Sequence, residues 1–373
     1  MKIVHIADTH LGYNAYRAID KETGLNLREQ DTNAAFKQAI DKIIKLKPTL
    51  VVHSGDFFDG SRPSNRTISF ALKQLLRLTS ANIPIVIISG NHSTPRIKGW
   101  GSIFSIFEFF EGIYPVYQAE YELINIGGIK LHCIPQCQSK DSFAIELNKL
   151  QNIDFSKPYN VLVLHAAIAG IKEFSMDSEF NELLIKEKQL SPMFDYIALG
   201  HFHRQVKMKD NAYYAGSTER FGFGEAGEKK GFLVVDLKTN KVEPHYLDIR
   251  PMVDLKPIDS AKKEPEQIMQ ELKIAIEETK PKDKIVRLNV INLTKDTYRE
   301  LDFEAIKQLL NQAAFYMYNF QTAKSQALSL NPETFGSLDQ EFKQFLQPTQ
   351  IKNKNELAKL GIEYIKKAED ACV

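Results

Sequence analysis

The chain has 373 residues, of which 43% are hydrophobic and 25% are charged. This length favours two or three domains, and the composition is typical of a globular protein and excludes a disordered one. The formal net charge of +1 excludes a global basic field, so any attraction for nucleic acid must come from a local patch.

The first part of the chain alternates predicted strands with predicted helices. Short apolar runs indicate strands at 3–6, 50–53 and 85–88, and apolar residues at helical spacing indicate helices over 31–46 and 66–79. Strand-like runs recur at 129–134, 160–164 and 195–199. The polar residues that follow these strands lie at the edge where α/β proteins bind ligands.

After residue 204 the pattern becomes rich in β-strands. Alternating runs predict consecutive antiparallel strands joined by short turns, at 205–209, 211–214, 232–237 and 241–247. A β-rich half that follows βα units favours two stacked sheets with helices outside over a single doubly wound sheet. The predicted fold class is therefore α/β, a four-layer α/β/β/α sandwich over residues 1–249.

Two further segments follow the predicted sandwich. Residues 250–325 begin at Arg250-Pro251 and read as strand, helix, strand, helix and strand, which is enough for a small α/β domain. Residues 326–373 carry two amphipathic segments, which predict a C-terminal helix-loop-helix tail. The apolar residues of the tail are Leu338, Phe342, Phe345 and Leu346 in the first segment and Leu357, Leu360, Tyr364 and Ile365 in the second.

The cysteines and the hydropathy bear on the cellular compartment. Cys133, Cys137 and Cys372 form no CxxC pair, and we interpret them as reduced thiols rather than metal ligands or disulfide partners. The sequence shows no signal-peptide pattern and no apolar stretch long enough to span a bilayer. We therefore expect a cytoplasmic protein with no membrane partner.

Five short polar clusters follow apolar runs. They are Asp8-Thr9-His10, Gly55-Asp56, Gly90-Asn91-His92, His165 and Gly200-His201-Phe202-His203. Asp, Asn and His are ligands of hard-to-borderline divalent metals. Seven or eight such side chains are too many for one ion and about right for two, and two-metal sites are suited to in-line displacement at phosphorus.

Each cluster taken alone also has an ordinary structural explanation. Asp8 with His10 can cap a helix or form a turn, and a histidine such as His165 after a strand is commonly a hydrogen-bonded core residue. However, five of the nine histidines fall at the ends of predicted strands beside acids and an asparagine, which independent caps and core histidines would not produce. We therefore predict a two-metal site. The other four histidines are assigned structural roles: His5, His53, His132 and His245.

The order D-x-H, G-D, G-N-H, H and G-H-x-H is similar to the motif set of the calcineurin-like metallophosphoesterase superfamily. Four longer stretches resemble, more narrowly, the SbcD-like double-strand-break repair nucleases, above all the archaeal ones. They are HIADTHLG at 5–12, GDFFD at 55–59, SRPS at 61–64 and GSTER at 216–220. The resemblance covers residues 1 to about 250 and extends more weakly into the second domain.

The resemblance implies seven ligands around two divalent ions, with Mn²⁺ the expected metal. The implied ligands are Asp8, His10 and His203 for the first ion, Asn91, His165 and His201 for the second, and Asp56 bridging both. His92 is then the catalytic residue and not a ligand. It is expected beside the scissile phosphate, where it protonates the leaving oxygen or stabilises the transition state.

The activity implied by the resemblance is that of a DNA nuclease, both a 3′–5′ exonuclease and a single-strand endonuclease. It would act in double-strand-break repair and end processing with an SbcC-type coiled-coil ATPase. Two alternatives stay open: a small-molecule phosphodiesterase or phosphatase of the same superfamily, and a non-catalytic DNA-end scaffold. Leu11-Gly12, the second domain and the tail weigh against the first alternative, and the presence of Asp56 and His92 weighs against the second.

Two positions depart from the pattern of the family. Family members commonly carry an acid after the G-N-H motif, whereas this chain has Ser93, which offers His92 weaker hydrogen-bonding support. Several members carry a histidine linked to exonuclease action where this chain has Asp59. We expect Asp59 to alter the balance between exonuclease and endonuclease action and to leave the metal site unaffected.

Arginines close to the clusters in sequence are expected to form a phosphate-binding rim for sequence-independent contact with DNA, with an ordinary solvated surface as the alternative. They are Arg62, Arg66, Arg96, Arg204 and Arg220. The resemblance further implies that residues 250–325 are a capping domain that orients DNA.

The resemblance also implies protein partners. Residues 330–373 are expected to dock on the coiled coil of the SbcC-type ATPase, with packing on their own domain as the alternative. A homodimer is expected, with residues 64–80 and 101–111 as its interface. The protein is then nucleoid-associated in an archaeal or bacterial cell.

Overall fold

The structure is a computed structural model, and it describes residues 1–20, 23–95, 97, 99, 101–155, 159–169, 183–322, 342–343, 345–346 and 353–370. The chain forms two compact units, Met1–Gln321 and Thr322–Val373. Within these residues, no helix combines the length and the apolar character needed to cross a bilayer.

In chain order the strands are β1 (Lys2–Ile6), β2 (Leu50–His53), β3 (Ile85–Ile88), β4 (Ile113–Val116), β5 (Glu122–Ile126), β6 (Ile129–Ile134), β7 (Asn160–His165), β8 (Ala167–Ile168), β9 (Leu184–Ile185), β10 (Tyr196–Gly200), β11 (Val206–Lys209), β12 (Ala212–Tyr214), β13 (Gly231–Asp236), β14 (Lys241–Tyr246), β15 (Met252–Asp254), β16 (Ile258–Asp259), β17 (Ile285–Leu293) and β18 (Phe315–Thr322). The α-helices are α1 (Leu27–Leu46), α2 (Asn65–Ser80), α3 (Lys140–Lys149), α4 (Pro265–Thr279), α5 (Lys295–Glu300), α6 (Phe303–Leu309) and α7 (Lys354–Asp370). Short 3-10 helices lie at Ile103–Phe109, Leu150–Asn152, Glu187–Gln189 and Phe223–Glu225.

Two six-stranded sheets carry the polar clusters. The first has the order β14-β13-β1-β2-β3-β4, in which β1 to β4 are parallel and β13 and β14 are antiparallel at one edge. The second has the order β11-β12-β10-β7-β6-β5, in which β6, β7, β10 and β12 are parallel and both edge strands are antiparallel.

The alternation of side chains along the strands produces three apolar layers. Between the sheets, Val52 of β2 belongs to the same buried cluster as Val161 of β7. Val51, the neighbour of Val52, packs with α1 and α2 outside the first sheet, and Leu162 packs with α3 outside the second. This arrangement confirms the predicted α/β/β/α sandwich.

A smaller sheet follows the sandwich. β17 pairs with β15, β16 and β18, and α4 and α6 cover it through a buried cluster that includes Ile268, Leu288 and Ile306. This is the predicted order of strands and helices over 252–325. The unit Met1–Gln321 contains both the sandwich and this sheet, so the division at residue 250 stays a prediction.

Two predicted features differ in the structure, and strands β4, β5, β8 and β9 and helix α3 were not predicted. Helix α1 begins at Leu27 instead of residue 31, because the Asn26 side chain caps it by accepting from the main-chain N–H groups of Arg28 and Glu29. Strands β11 to β14 are not one antiparallel series, since β11 and β12 form a hairpin in the second sheet and β13 and β14 form one in the first. The segment between β12 and β13 therefore crosses from one sheet to the other.

The second compact unit contains helix α7, which coincides with the second predicted tail segment. A Cβ at Gly361 of this helix would lie 2.2 Å from a ring carbon of Phe342, so the glycine permits close packing of the two. Most of the first predicted tail segment lies outside the described residues.

A buried ion-pair network joins α1 to the segments that follow the sandwich. Arg28 is fully buried and donates to Asp31 at 2.6 Å and to the main-chain carbonyl of Arg220. Asp31 also accepts from Arg250 at 3.0 Å, and Arg250 donates to the carbonyl of Asp283. Removing one carboxylate from such a network leaves a buried charge without compensation, which costs more than the pair itself contributes.

Asp31→Ala is expected to lower the free energy of unfolding by up to about 3–5 kcal/mol, because Arg28 keeps only its longer contact with the Glu219 carboxylate, at 3.5 Å, and Arg250 loses its bond to Asp31. Asp41→Ala is the matched control, since Asp41 lies on the same helix and pairs with Arg77 at the surface, where such pairs contribute about 0–1 kcal/mol. Urea denaturation of the two variants measures the difference. Equal losses would show that burial of the network does not matter.

Candidate functional site

The ends of strands from both sheets meet at one point. The main-chain N–H of Asp8 donates to the carbonyl of Gly55 at 3.1 Å, and that of His10 donates to the carbonyl of Asp56 at 3.0 Å. The N–H of His201 donates to the Asp8 carboxylate at 3.0 Å. These bonds tie the ends of β1, β2 and β10 together, so the clusters form one site.

The backbone at this point is strained and closely packed. Four residues of the clusters have positive φ: Asp8 (49°), His10 (43°), Asp56 (49°) and His201 (103°). Such angles are costly for residues with a side chain, and strained residues of this kind cluster at active sites. A Cβ at Gly55 would lie 2.1 Å from His165 Nδ1, and one at Gly90 would lie 2.2 Å from Asp56 Oδ1. Only glycine permits this approach of the strand ends.

A first position for a cation lies between His10 and His203. His10 Nδ1 lies 3.2 Å from Asp59 Oδ1, and His203 Nδ1 lies 2.9 Å from Glu225 Oε1. Because carboxylates only accept, both Nδ1 atoms carry a proton, and in the neutral form of each ring the lone pair is then on Nε2. The two Nε2 atoms nevertheless lie 3.2 Å apart, and two lone pairs at that distance repel unless a positive charge lies between them. The donor set therefore fits a divalent cation.

A second position is formed by His165, Asn91 and Asp56. His165 Nδ1 lies 2.9 Å from the carbonyl oxygen of Ser54, so this nitrogen carries the proton. Its Nε2 lies 2.8 Å from Asn91 Oδ1 and 3.1 Å from Asp56 Oδ2. Nε2 therefore needs either a proton of its own or a bound cation in front of these two oxygen acceptors, and the donor set fits a divalent cation.

Asp56 and Asp8 connect the two positions. Asp56 Oδ2, 3.1 Å from His165 Nε2, is also 3.9 Å from His10 Nε2, so one carboxylate reaches both. Asp8 belongs to two groups of side chains whose ligand atoms lie within 4.8 Å of one another, one with His10 and His203 and one with Asp56 and His165. The cluster is thus continuous, and two positions share its carboxylates.

The electrostatics of the cluster favour a bound positive charge. Burial raises the pKa of Asp8 to about 7, although His165 partly opposes this. Burial alone would raise the pKa of Asp56 too, but His165 and His10 hold it far below its usual range. Burial would lower the pKa of His165, yet the charge of Asp56 raises it to about 9. Without a metal ion, a proton on His165 therefore supplies the positive charge that balances the buried carboxylates.

His92 lies at the edge of the cluster. Its main-chain N–H donates to Asp56 Oδ1 at 3.0 Å, its Nδ1 lies 3.2 Å from the carbonyl oxygen of Asp59, and its ring centroid is 4.7 Å from that of His10. Ser93 is fully buried, and its hydroxyl accepts from the N–H of Gly90 at 3.3 Å. A main-chain carbonyl of the β2 loop thus orients His92.

The expectation that Asp59 leaves the metal site unaffected is wrong. Its carboxylate lies 3.2 Å from His10 Nδ1, and His10, Asp59 and His92 form a third group of side chains close enough to share a cation. Asp59 therefore sets the tautomer of His10 and borders the site directly. Its proximity to His10 is not visible in the sequence, because 49 residues separate the two.

The other predicted histidines have distinct environments. His201 has its ring centroid 5.3 Å from that of His165, beside the second position. His5 is buried between Tyr196 Oη and Ser54 Oγ, both at 2.8 Å, and burial lowers its pKa to about 3. A neutral ring with a hydrogen bond at each nitrogen has a structural role, as expected of His5.

The predicted arginines fall into different classes. Arg62 is exposed, Arg204 is exposed and pairs with Glu228 at 2.7 Å, and Arg66 is held by Glu29 at 2.6 Å. Arg220 donates to the main-chain carbonyls of Glu228 and Arg250, which is a structural use of its guanidinium group. Arg96 lies outside the described residues.

Glu225 and Lys230 are parts of the site whose contact with a candidate ligand the sequence did not predict. Glu225 contacts His203, and the buried Lys230 lies 2.6 Å from Glu225. Burial would raise the pKa of Glu225, but the hydrogen bond from His203 and the charge of Lys230 lower it to about 2. The only signal in the sequence was the glycine-rich stretch at 222–227, which marks a loop and not a ligand partner.

Comparisons with known proteins bear on this site. Residues 1–205 match the family model described as Calcineurin-like phosphoesterase, a family that uses divalent metals. The chain is 33% identical over 254 residues to the DNA double-strand break repair protein Mre11 of Methanocaldococcus jannaschii, covering 65% of this chain and 64% of that protein.

Two further relatives are also DNA double-strand break repair proteins named Mre11. The protein of Methanococcus maripaludis is 30% identical over 255 residues, covering 64% of this chain and 63% of that protein. That of Sulfolobus acidocaldarius is 26% identical over 357 residues, covering 90% and 87%. The first two matches span slightly less than two thirds of the relatives' own length.

Divalent cation binding is expected to release protons and to tighten as the pH rises toward 9. The reason is that His165, whose pKa the charge of Asp56 raises to about 9 against the effect of burial, must lose its proton to become a ligand. For one proton the affinity changes by up to about tenfold per pH unit. Calorimetric titration with Mn²⁺ in two buffers of different ionisation enthalpy counts the protons.

His245→Asn is the control for this titration, because His245 stacks on Phe232 in β13 and β14 and should not change the proton count. Binding that is independent of pH, with no proton released, would contradict the prediction.

Proposed function

The chain belongs to the calcineurin-like phosphoesterase family, and we propose that it is a two-metal DNA nuclease acting in double-strand-break repair. The observation that carries this proposal is the convergence of metal-ligating side chains at two adjacent positions, His10 with His203 and His165 with Asn91, which share the carboxylates of Asp8 and Asp56. The Mre11 relatives are DNA double-strand break repair proteins, which suggests DNA as the substrate class.

We assign seven ligands and one catalytic residue, with Mn²⁺ as the metal. Asp8, His10 and His203 hold the first ion, Asn91, His165 and His201 hold the second, Asp56 bridges both, and His92 is the catalytic residue. The geometry supports the bridge, because Asp56 Oδ2 approaches both His10 and His165. When bound, two such ions activate water and stabilise charge on the phosphate.

His92 is suited to deliver a proton to the leaving oxygen. With Nδ1 donating to the carbonyl of Asp59, Nε2 is the nitrogen left to carry a transferable proton. The bond from its main-chain N–H to Asp56 fixes the ring relative to the proposed bridging carboxylate. A histidine held in this way is a general acid for a poor leaving group such as a 3′-oxygen.

DNA rather than a small ester is the proposed substrate. Arg62 and Arg204 are exposed and charged, and they offer contacts to the phosphate backbone, Arg204 by exchanging its partner Glu228 for phosphate. Arg66 can join them only by releasing Glu29. Arg220 makes no such contact in our proposal, since its donors are used on main-chain carbonyls.

The cleavage is proposed to be both exonucleolytic from 3′ ends and endonucleolytic on single strands, and residues 250–325 are proposed to be the capping domain that orients the DNA.

Asp56→Ala and His92→Ala are expected to separate metal binding from chemistry. Asp56→Ala should lose binding of both ions and all cleavage, because both positions lose a carboxylate. His92→Ala should bind Mn²⁺ normally and cleave linear duplex DNA about 10²–10⁴-fold more slowly, the usual contribution of a general acid. Gel assays of cleavage and calorimetry of Mn²⁺ binding measure the two effects.

The parent protein supplies the decisive control in the same assays. Absence of DNA cleavage in Mn²⁺, together with rapid hydrolysis of a small phosphodiester, would replace the proposed nuclease by a small-molecule phosphodiesterase. DNA binding without cleavage of any substrate would instead support a scaffold.

We also propose that the tail binds the coiled coil of an SbcC-type ATPase. Leu357, Leu360 and Tyr364 are exposed on α7, and their spacing of i, i+3 and i+7 places them on one face of the helix. Ala358, Gly361 and Ile365 are less exposed, so the helix presents an apolar face beyond the one that is already covered. Such a face is typical of a helix that docks on a partner.

Leu360→Asp is expected to abolish binding to the SbcC-type ATPase of the same cell, because a charge on the apolar face must be desolvated in the complex. Lys359→Asp is the matched control, since it introduces the same side chain at the neighbouring exposed position. Co-purification measures binding, and Mn²⁺-dependent DNA cleavage should persist in both variants. Full binding by Leu360→Asp would refute the assignment.

A homodimer through 64–80 and 101–111 completes the proposal. Leu76 on α2 and Ile106 and Phe109 on the 3-10 helix Ile103–Phe109 are exposed, Phe109 by 85%. Contiguous exposed apolar surface is typical of an interface between subunits, and these side chains would contribute to one if the two segments adjoin in the dimer.

A further inference from the structure

The segment between β12 and β13 carries a side chain that contacts one ligand of the first position. Glu225 Oε1 lies 2.9 Å from His203 Nδ1. The 3-10 helix Phe223–Glu225 presents this carboxylate from the side of the imidazole that faces away from Nε2. The loop therefore reaches the site through His203 and not through the proposed ion itself.

We propose that Glu225 is a positioning residue that builds the first cation position selectively, by fixing the tautomer and the orientation of His203. This inference rests on the proposed function, because it presumes two ion positions. It goes beyond that proposal because it assigns the glycine-rich loop at 222–227 a role in the first position and none in the second.

The tautomer of His203 decides whether it can be a ligand. A neutral imidazole has one nitrogen with a proton and one with a lone pair. Accepting from Nδ1, the Glu225 carboxylate keeps the proton there and leaves the lone pair on Nε2, 3.2 Å from His10 Nε2. A carboxylate behind a ligating histidine also raises its basicity.

The second position does not depend on this loop. His165 Nδ1 is held by the carbonyl of Ser54, at 2.9 Å, and that carbonyl belongs to the end of β2. His203 and His165 are thus fixed by different chemical groups, a carboxylate from a loop and a main-chain carbonyl from a strand end. Loss of Glu225 should therefore weaken one position and spare the other.

Lys230 holds Glu225 in place. Its side chain is 1% exposed, and its ammonium group lies 2.6 Å from Glu225 Oε2 and 2.9 Å from Glu228 Oε2. The same group donates to the main-chain carbonyl of His203 at 2.8 Å. The buried ammonium group of Lys230 therefore binds both the Glu225 carboxylate and the main-chain carbonyl of His203, which fixes the two residues relative to each other.

Phe221 closes the same side of the first position. Its ring centroid lies 4.6 Å from that of His10 and 5.1 Å from that of His203. Tyr13 donates its hydroxyl to the carbonyl of Phe221 at 2.5 Å. The apolar ring limits the access of water to the two imidazoles, so that the Glu225–His203 hydrogen bond forms in a medium where it is strong.

The test compares Glu225→Ala, Glu225→Gln and Glu228→Gln in the full chain, by calorimetric titration with Mn²⁺. Glu225→Ala is expected to weaken one of two binding events about 10–100-fold, the usual effect of removing a partner of a ligating histidine, and to leave the other unchanged. Glu225→Gln keeps an acceptor for Nδ1 without its charge, so it should give a smaller loss in the same event.

Glu228→Gln is the matched control, because Glu228 also pairs with Lys230 while Glu225 is the one that contacts His203. It should bind both ions as the parent does. Urea denaturation of each variant establishes that the fold persists.

Three results would overturn the inference. Unchanged binding by Glu225→Ala would show that the loop does not act on the ion, and equal weakening of both events would show a general structural effect. Fewer than two binding events in the parent would overturn the proposed two-metal function and this inference with it.

Discussion

A lone pair buried without a donor or a cation is costly, and this constraint governs the centre of the molecule. The Nε2 atoms of His10 and His203 face each other, while Nε2 of His165 faces the oxygens of Asn91 and Asp56. Several residues of the site adopt left-handed backbone conformations, and glycines occupy the positions where a Cβ would collide. Both features are energetically costly and accompany this arrangement. These features are consistent with one another only if the cluster holds positive charge.

The sandwich explains how residues far apart in the chain reach this point. Parallel strands place their carboxyl ends on one edge, and β1, β2, β3, β7 and β10 each deliver one polar cluster from that edge. Because each cluster follows directly on an apolar run, its position was predictable from sequence, as were the four layers and most strand bounds. The cap at Asn26, which extends α1, was a local signal that helical periodicity alone did not reveal.

Contacts made by the loops were not predictable in the same way. Asp59 and Glu225 hold the Nδ1 atoms of His10 and His203, yet both lie in irregular segments whose path depends on tertiary packing. The crossing of the chain between β12 and β13 decides where Glu225 falls. Phe223 of this loop packs with Met252 and Ile285 of the smaller sheet, so packing beyond the sandwich also fixes the site.

Anomalous diffraction from crystals soaked in Mn²⁺ would test the two-metal centre most directly. We predict two peaks roughly 3.5–4 Å apart, one within coordination distance of Nε2 of His10 and His203 and one within coordination distance of His165 Nε2 and Asn91 Oδ1, with Asp56 between them. A single peak, or peaks only at other places in the chain, would contradict the two-metal interpretation.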